Sequence, residues 1–455
     1  MTKKNEKESE LMDKIVSLAK RRGFIFPSSE IYGGFASCYD YGPLGVELKN
    51  NVKNLWWQEM TRLQNNIVGL DSAILMSPKI WQASGHLTAG FADELVECKE
   101  CHKRFRKDHL EEEGKTNCPD CGGALTEPKK FNLMMKTFVG PVEDEANITY
   151  LRAETCQGIY VNFANILDST RVKIPFGIAQ IGKAFRNEIT PGHFIFRTRE
   201  FEQMEMQFFI KPHEADKWFN YWKEARTKWY LNLGLKKENI RFKEVAKKDL
   251  AHYAKRAVDI EYHFPEPMGW REIEGIHNRG DWDLSNHAKF SGKDLSYFDE
   301  VSKEKFTPWI IETSAGADRA TLVFLVNAYQ AVLGGRTTTT ESTKEAEVVL
   351  RFDKRLAPVK IAVLPLVKNK ENVVKLTQKI FELLKAKYLT HYDEAGSIGR
   401  RYRRQDEIGT PYCLTVDFES LENQDVTVRD RDTMKQERVK VDELVNYFGN
   451  KLLIS

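Results

Sequence analysis

Two cysteine pairs, Cys98/Cys101 and Cys118/Cys121, constrain the fold of this chain more than any other feature of its sequence. Sixteen residues separate the pairs, a spacing typical of four-thiolate zinc sites, and each CxxC turn can present two sulfurs to one tetrahedral ion. Two buried or redox-active cysteine pairs are the alternative. Four cysteines leave a zinc ion no open position, so the predicted Zn²⁺ is structural. We therefore expect a small zinc-binding module over residues 95–127, inserted in a larger domain.

The composition favours a globular protein. Hydrophobic residues make up 41% and charged residues 30% of 455 residues, and this length suits about three domains. The net charge is only +3, so a nucleic-acid surface must be a local patch. No segment approaches the roughly 18 apolar residues of a transmembrane helix, and no signal peptide begins the chain, so we expect no membrane association. An odd number of cysteines, seven, argues against a disulfide framework and favours the cytoplasm.

Hydrophobic periodicity predicts the first elements of the fold. Residues 44–63 have apolar positions at helical spacing. A short strand is predicted over residues 72–76, ended by Pro78. Strong alternation over residues 174–210, interrupted at residues 190–193, predicts two antiparallel strands around a long loop.

Hydrophobic periodicity also predicts helices and strands in the later part of the chain. We expect a partly helical insertion over residues 213–306, and then a strand over residues 308–311. A turn leads from this strand to an apolar helix over residues 319–332, closed by the glycine pair that follows, with a surface loop over 337–343. Strand and helix patterns alternate beyond residue 358, which predicts a separate α/β domain over residues 357–455.

The predicted hairpin contains many charged residues close together in the sequence. The first strand ends with Arg186, Asn187 and Glu188, and the second begins with the segment 196–201. Charges at this density are costly to bury without partners. A ligand with phosphates would supply those partners, because guanidinium groups match phosphate oxygens. A solvated sheet face with cross-strand ion pairs is the alternative.

Arg319 follows Gly316, Ala317 and Asp318 at the predicted start of a helix. An arginine there opposes the helix macrodipole, and a bound anion would explain it. An ordinary turn with an exposed arginine would have the same sequence.

Four arginines surround a tyrosine near the C-terminus. They suit phosphate contacts, and the tyrosine suits base stacking. A solvated basic helix face is the alternative. The predicted tRNA contacts are Arg400, Arg401, Arg403 and Arg404.

In this order the motifs resemble the three signature motifs of class II aminoacyl-tRNA synthetases. Six blocks are similar to those of the homodimeric glycyl-tRNA synthetase family, and they span nearly the whole chain: IYGGF, YDYGPLG, LRAETCQGIYVNF, AFRNEITPG, FRTREFEQMEMQFF and ETSAGADR. The family usually has Arg-Pro-Glu-Thr-Ala-Gln-Gly around its glutamate. Here Ala153 and Cys156 depart from that pattern, and both changes are small.

The resemblance implies an α+β fold. A class II catalytic domain with an antiparallel sheet flanked by helices would occupy residues 1–356, and an anticodon-binding domain would follow it. It also implies a homodimer with the segment 44–78 at the interface.

The resemblance implies a glycine–tRNA ligase. Such an enzyme uses ATP with Mg²⁺ to form glycyl-adenylate and transfers glycine to the 3′-terminal ribose of tRNA(Gly). The implied catalytic residues are Arg186, Glu188 and Arg319, and Glu272 and Glu312 could hold Mg²⁺. The implied ATP-binding residues are Arg186, Asn187, Glu188, Phe196, Arg197, Thr198, Arg199, Glu200, Phe201, Glu272, Ile273, Gly316, Ala317, Asp318 and Arg319. The implied glycine-binding residues are Arg106, Glu154, Phe201, Glu202, Gln203, Met204, Glu205, Glu312, Thr313, Ser314, Ala315 and Gly316.

Two rival hypotheses remain at this stage. A non-catalytic relative that binds tRNA or senses amino acids would share the scaffold, although the motif arginines argue against it. A nucleic-acid-binding zinc protein would explain only the cysteine module. The absence of a GxxxxGK[ST] sequence excludes a P-loop ATPase.

Overall fold

The computed structural model describes residues 3–87, 91–112, 114–189, 192–333 and 346–452. The glycine pair and the surface loop predicted after residue 332 lie outside these ranges, as do residues 190 and 191 of the predicted hairpin loop. Within the described ranges, none of the helices has the length and apolar character needed to cross a bilayer.

Helices and strands are both found throughout the described ranges. The helices are α1 (Lys3–Arg21), α2 (Pro43–Thr61), α3 (Pro78–Ala83), α4 (Lys107–Glu112), α5 (Cys156–Val161), α6 (Phe163–Thr170), α7 (Ala215–Asn232), α8 (Trp282–Ser291), α9 (Ala317–Ala328), α10 (Glu371–Lys385), α11 (Ile398–Ile408), α12 (Phe418–Asn423) and α13 (Leu444–Leu452). The strands are β1 (Ile25–Pro27), β2 (Tyr39–Tyr41), β3 (Ile67–Gly69), β4 (Ala92–Glu97), β5 (Arg104–Arg106), β6 (Lys129–Asn132), β7 (Met135–Phe138), β8 (Ile148–Leu151), β9 (Phe176–Phe185), β10 (Glu200–Ile210), β11 (Ile240–Glu244), β12 (Arg256–His263), β13 (Trp270–Gly280), β14 (Tyr297–Phe298), β15 (Lys305–Phe306), β16 (Trp309–Gly316), β17 (Tyr329–Val332), β18 (Glu347–Leu350), β19 (Ile361–Pro365), β20 (Thr390–Tyr392), β21 (Tyr412–Val416), β22 (Asp425–Asp430) and β23 (Gln436–Lys440).

Seven strands form the central sheet, in the order β11-β12-β13-β16-β10-β9-β3. All neighbours are antiparallel except β3, which runs parallel to β9. The predicted hairpin is present as β9 and β10, and helices pack on the sheet. The α+β fold with an antiparallel sheet flanked by helices is confirmed.

Side-chain alternation along β10 gives the central sheet two different faces. Met204, Met206 and Phe208 are fully buried in the main hydrophobic core, with side chains of α1, α2, α7 and α9. The intervening residues Glu205 and Gln207 point to the opposite face. One side of the strand therefore stabilises the fold, and the other side is available for polar chemistry.

The prediction of a strand over residues 72–76 is wrong. This segment is extended but forms only an isolated bridge, from Leu75 to Leu151. Side chains occupy the backbone groups that a strand would need, because Ser72 N–H donates to Gln180 Oε1 at 2.8 Å and Ser72 O accepts from Arg152 Nη1 at 2.8 Å. Pro78 does not end a strand but opens α3, where its missing N–H costs nothing.

The boundaries around the predicted apolar helix also differ. The preceding strand, β16, continues to Gly316, so the segment expected as a turn is paired on both sides, with β10 and β13. The helix α9 ends at Ala328, and the next four residues form β17, which pairs with β18. Similarly, β10 begins at Glu200 and not at residue 196, because Phe194–Phe196 forms a 3₁₀ turn.

A second sheet of five strands lies in the C-terminal part, in the order β20-β19-β21-β22-β23. Its core contains apolar residues of β19, β21, β22 and β23 together with residues of α10 and α13. A hydrogen bond of 2.7 Å from Arg22 Nε to Glu407 Oε2 connects the end of α1 to α11, so this part packs against the N-terminal helix.

Substitution by alanine should change the stability of the protein in opposite directions at two glycines that lie in helices. A Cβ on Gly45, in the first turn of α2, would lie 1.7 Å from Phe24 O, whereas nothing lies within 4 Å of a Cβ on Gly449 in α13. We expect Gly45→Ala to destabilise the protein by about 1–3 kcal/mol through this clash. Gly449→Ala should stabilise it by up to about 1 kcal/mol through helix propensity. Thermal unfolding followed by circular dichroism measures both, and a stabilised Gly45→Ala variant would contradict the backbone packing described.

Candidate active site

A cavity of about 240 Å³ opens on the polar face of the central sheet. Its floor consists of β10, β13 and β16, and the segments that flank β10 and α9 form its rim. The strand register fixes the floor, because Glu205 of β10 lies opposite Ser314 of β16, which in turn lies opposite Gly275 of β13. The lining residues are Glu154, Arg186, Glu188, Ile195, Phe196, Arg197, Thr198, Phe201, Gln203, Glu205, Tyr253, Glu272, Gly275, His277, Glu312, Ser314, Gly316, Asp318 and Arg319.

Three arginines from two motifs form a cationic end of the cavity. Arg186 Nε donates to Ala153 O at 3.1 Å, and its guanidinium lies 5.5 Å from the Phe201 ring centre. Arg319 donates to Phe196 O at 3.2 Å and to Glu272 Oε2 at 3.1 Å. Arg197 lines the same cavity. Three guanidinium groups facing one cavity suit a ligand with several phosphates.

Three of the buried glutamates that line the cavity, Glu154, Glu205 and Glu312, form an acidic end. Glu312 has basic side chains at both carboxylate oxygens, since Oε1 lies 3.0 Å from His277 Nδ1 and Oε2 lies 3.0 Å from Arg279 Nη1. Glu154 Oε2 lies 3.5 Å from His86 Nε2. Burial opposes the ionisation of both, yet Arg279 holds the pKa of Glu312 below its usual value and His86 holds that of Glu154 well below it.

Glu205 is the exception among the three. Its carboxylate accepts hydrogen bonds from neutral groups, the side chains of Thr155, Ser314 and Gln203, and in the described ranges no cationic side chain forms an ion pair with it. Burial, together with the nearby carboxylates of Glu312 and Glu154, raises the pKa of Glu205 to about 7. The acidic end therefore has one carboxylate whose charge lacks a partner, which is suited to binding a small cation.

Several residues implied by the resemblance do not line the cavity. Their side chains are committed elsewhere. Arg106 pairs with Asp93 and Asp108, Arg199 donates to Ala36 O, Glu200 pairs with Lys183, and Glu202 pairs with Lys49 and Lys53. Four other residues implied by the resemblance have side chains that are buried in the protein interior: Met204, Ile273, Ala315 and Ala317. Asn187 and Thr313 do not line the cavity either.

Four lining residues were not predicted: Ile195, Tyr253, Gly275 and His277. Gly275 leaves room for the His277 ring, because a Cβ there would lie 2.7 Å from His277 Cε1. Arg279, which holds Glu312, was also missed, and the Tyr253 ring centre lies 3.6 Å from its guanidinium. The alternation of β13, which places residues 275, 277 and 279 on one face, was the signal available in the sequence.

The four cysteines of the predicted module come together. Their sulfurs all lie within 4.8 Å of one another, with 3.4 Å between Cys98 and Cys121 and 3.6 Å between Cys101 and Cys118. A zinc ion with Zn–S bonds of about 2.3 Å would separate its sulfurs by roughly 3.8 Å. The backbone N–H groups of Cys101 and Glu100 lower the pKa of the Cys98 thiol to about 6. The spacing of the sulfurs therefore fits the size of a tetrahedral zinc site.

Of the four arginines near the C-terminus, Arg401 is buried and committed to the fold. Its guanidinium donates to the carbonyls of Pro365, Leu366 and Gly396. Arg404 pairs with Asp393 at 2.6 Å and is partly exposed. Arg400 is exposed and Arg403 is partly exposed, so the basic surface of α11 excludes Arg401.

Family models match both the central and the C-terminal part of the chain. The family model for the tRNA synthetase class II core domain (G, H, P, S and T) matches residues 141–328, and that for the anticodon binding domain matches residues 360–451. A glycine–tRNA ligase of Thermobifida fusca (strain YX) is 53% identical, over 98% of this chain and 99% of its own length.

The chain belongs to the glycine–tRNA ligase family. The family's protein from Treponema denticola is 55% identical over 96% of both chains, and that from Streptomyces coelicolor is 52% identical over 97% of this chain and 98% of its own. The resemblance inferred from the motifs is therefore confirmed, with a class II core and an anticodon-binding domain.

One departure from the usual pattern of the glycine–tRNA ligase family lies at the acidic end. The Cys156 thiol, where an alanine is usual, donates to Glu154 Oε1 at 3.0 Å. Burial and the Glu154 charge raise the pKa of Cys156 well above its usual value. The substitution therefore adds a neutral hydrogen-bond donor to the glutamate and no charge.

The cysteine cluster predicts one zinc ion per chain. Cys98→Ser should abolish zinc retention after gel filtration, measured by inductively coupled plasma mass spectrometry, and should make residues 95–127 sensitive to trypsin, because structural zinc sites contribute directly to folding. Cys38→Ser, outside the cluster, is the control and should retain zinc. Full zinc content in Cys98→Ser, or none in the unmodified protein, would contradict the assignment.

Proposed function

We propose that this chain is a glycine–tRNA ligase, which activates glycine with ATP and then esterifies tRNA(Gly). The observation that carries the proposal is the division of charge in a single cavity, where three arginines lie near one another and Glu154, Glu205 and Glu312 form a separate cluster. Two further glutamates, Glu188 and Glu272, lie beside the arginines. ATP is an anion and the amino group of glycine is a cation. A cavity with both ends charged in this way can bind the two substrates side by side.

At the cationic end, Arg186 would hold the α-phosphate and Arg319 the γ-phosphate. Phe201 and Arg186 are close enough for the adenine ring and the α-phosphate of one nucleotide to contact both. Glu272 reaches Arg319, and this pair would orient the arginine before ATP binds. Catalysis then depends on positioning and on neutralising charge as it develops.

Mg²⁺ is the expected metal partner of ATP, where it neutralises phosphate charge. Of the two candidate ligands, Glu312 fits poorly because basic side chains already contact both of its carboxylate oxygens. Glu272 fits better, since among the described residues its carboxylate forms a hydrogen bond and ion pair with Arg319 alone, through one oxygen. We therefore assign Mg²⁺ to Glu272 and the phosphates.

At the acidic end, Glu205 would accept the ammonium group of glycine, with Glu154 and Ser314 beside it. The glycine carboxylate would then attack the α-phosphorus, forming the glycyl-adenylate and releasing pyrophosphate. In the second step the 3′-hydroxyl of the terminal ribose attacks the glycyl carbonyl, and AMP leaves. A single methyl is worth only about 1–3 kcal/mol by attraction, so alanine must be excluded by steric closure around the bound ammonium.

The C-terminal sheet would bind the anticodon region of tRNA(Gly), with Arg400, Arg403 and Arg404 of α11 as phosphate contacts. We also propose a homodimer with the segment 44–78 at its interface, structural Zn²⁺ at the cysteine cluster, and a cytoplasmic location, where free thiols remain reduced.

ATP–pyrophosphate exchange with purified protein tests the first step directly. We expect exchange with glycine and at least about a hundredfold lower kcat/KM with alanine or serine. Exchange with a different amino acid would overturn the pocket assignment. No exchange with any amino acid, by protein that still binds tRNA, would favour the non-catalytic tRNA-binding alternative.

Glycine use should depend on pH through Glu205. Because only the ionised carboxylate binds an ammonium group, and the pKa is raised to about 7, kcat/KM for glycine should fall as the pH decreases through 7, by about tenfold per unit below it. Glu205→Gln should have a low kcat/KM without this inflection. Glu244→Gln, an exposed residue of β11, is the control and should keep the original profile. The account of Glu205 is wrong if Glu205→Gln retains the inflection.

A further inference from the structure

Asp318 lines the cavity, yet both of its carboxylate oxygens are used by protein groups. Oδ1 accepts a hydrogen bond from the Tyr41 hydroxyl at 2.5 Å and from Lys49 Nζ at 2.8 Å. Oδ2 accepts from the backbone N–H of Glu202 at 2.7 Å. The side chain is only 8% exposed. Asp318 is therefore satisfied by β2, α2 and β10 before any substrate arrives.

Lys49 is the unusual member of this group, because a lysine is rarely buried. It is 5% exposed, and its amine lies 2.8 Å from Asp318 and 2.7 Å from Glu202 Oε2. Lys53, one turn later in α2, contacts the other oxygen of Glu202 at 3.1 Å. Two lysines thus balance two carboxylates, and the cluster has no surplus charge with which to bind a ligand.

The next residue after Asp318 is Arg319, and its side chain points the other way, to Phe196 O and Glu272. The two residues share the first turn of α9. An arginine at this position opposes the helix macrodipole, and the buried carboxylate beside it offsets that cost. Whatever holds Asp318 therefore also fixes the backbone from which the Arg319 guanidinium extends.

We propose that Lys49 and Tyr41 are positioning residues for Arg319, acting through Asp318 to lock the start of α9 against α2 and β2. Neither residue lines the cavity. Catalytic groups require placement to within about 0.5 Å, and three hydrogen bonds to one carboxylate give that restraint. The inference rests on the proposed function, in which Arg319 holds the γ-phosphate of ATP. In this inference, Asp318 and Glu202 hold the start of α9 in place and do not contact substrate.

The steady-state kinetics of ATP–pyrophosphate exchange test whether Lys49 and Tyr41 position Arg319. Tyr41→Phe removes one hydroxyl and should raise KM for ATP about three- to tenfold, while KM for glycine changes by less than about twofold. Lys49→Met should raise KM for ATP further, and Lys49→Arg should restore part of the loss. In an Arg319→Ala background, Tyr41→Phe should have no additional effect on KM for ATP, because a residue that acts through Arg319 has nothing left to position.

Lys360→Met is the matched control. Its amine donates to the carbonyls of Lys354 and Arg355, so its loss should leave KM for ATP unchanged. If Lys49→Met fails to fold, the conservative Tyr41→Phe decides the question. An unchanged KM for ATP in Tyr41→Phe, or an equal effect of this substitution with and without Arg319, would overturn the positioning role of Tyr41 and Lys49. The proposed function would still stand if the unmodified protein shows glycine-dependent exchange. No exchange by the unmodified protein would overturn both.

Discussion

The antiparallel pairing of β10 with both β9 and β16 is the constraint on which the rest of the structure depends. Glu205 lies opposite Gln180 on one side and Ser314 on the other, and its neighbours Met204 and Met206 are fully buried in the core. Because side chains alternate with a period of two, a slip of one residue would move the glutamate into the core and the methionines into the cavity. Hydrophobic burial thus fixes the register that assembles the site.

The parts of the fold that depend on local patterns were predictable. The alternation of β9 and β10 and the helical spacing of α2 gave the right elements, and the CxxC spacing gave a cluster of four sulfurs. The strand expected over residues 72–76 failed because distant side chains, Gln180 and Arg152, take its backbone hydrogen bonds. Such long-range competition leaves no signal in the segment itself.

The site was predicted in part, and the misses have a common physical cause. Motif residues facing the cavity, such as Arg186 and Arg319, could be identified. Glu202 and Arg401 were also predicted to contact substrates, but Lys49 and backbone carbonyl groups, respectively, occupy their side chains. Conversely, His277 and Arg279 belong to no motif considered, yet they hold Glu312. Which charge faces a ligand and which faces another side chain is decided by tertiary packing.

A crystal structure with a non-hydrolysable glycyl-adenylate analogue would test the central claim, that the cationic and acidic ends of one cavity bind the two halves of this intermediate. The account predicts the glycyl ammonium group within hydrogen-bond distance of Glu205, and the group that replaces the α-phosphate against Arg186. An analogue bound with its ammonium group away from the three glutamates, or outside the cavity, would contradict it.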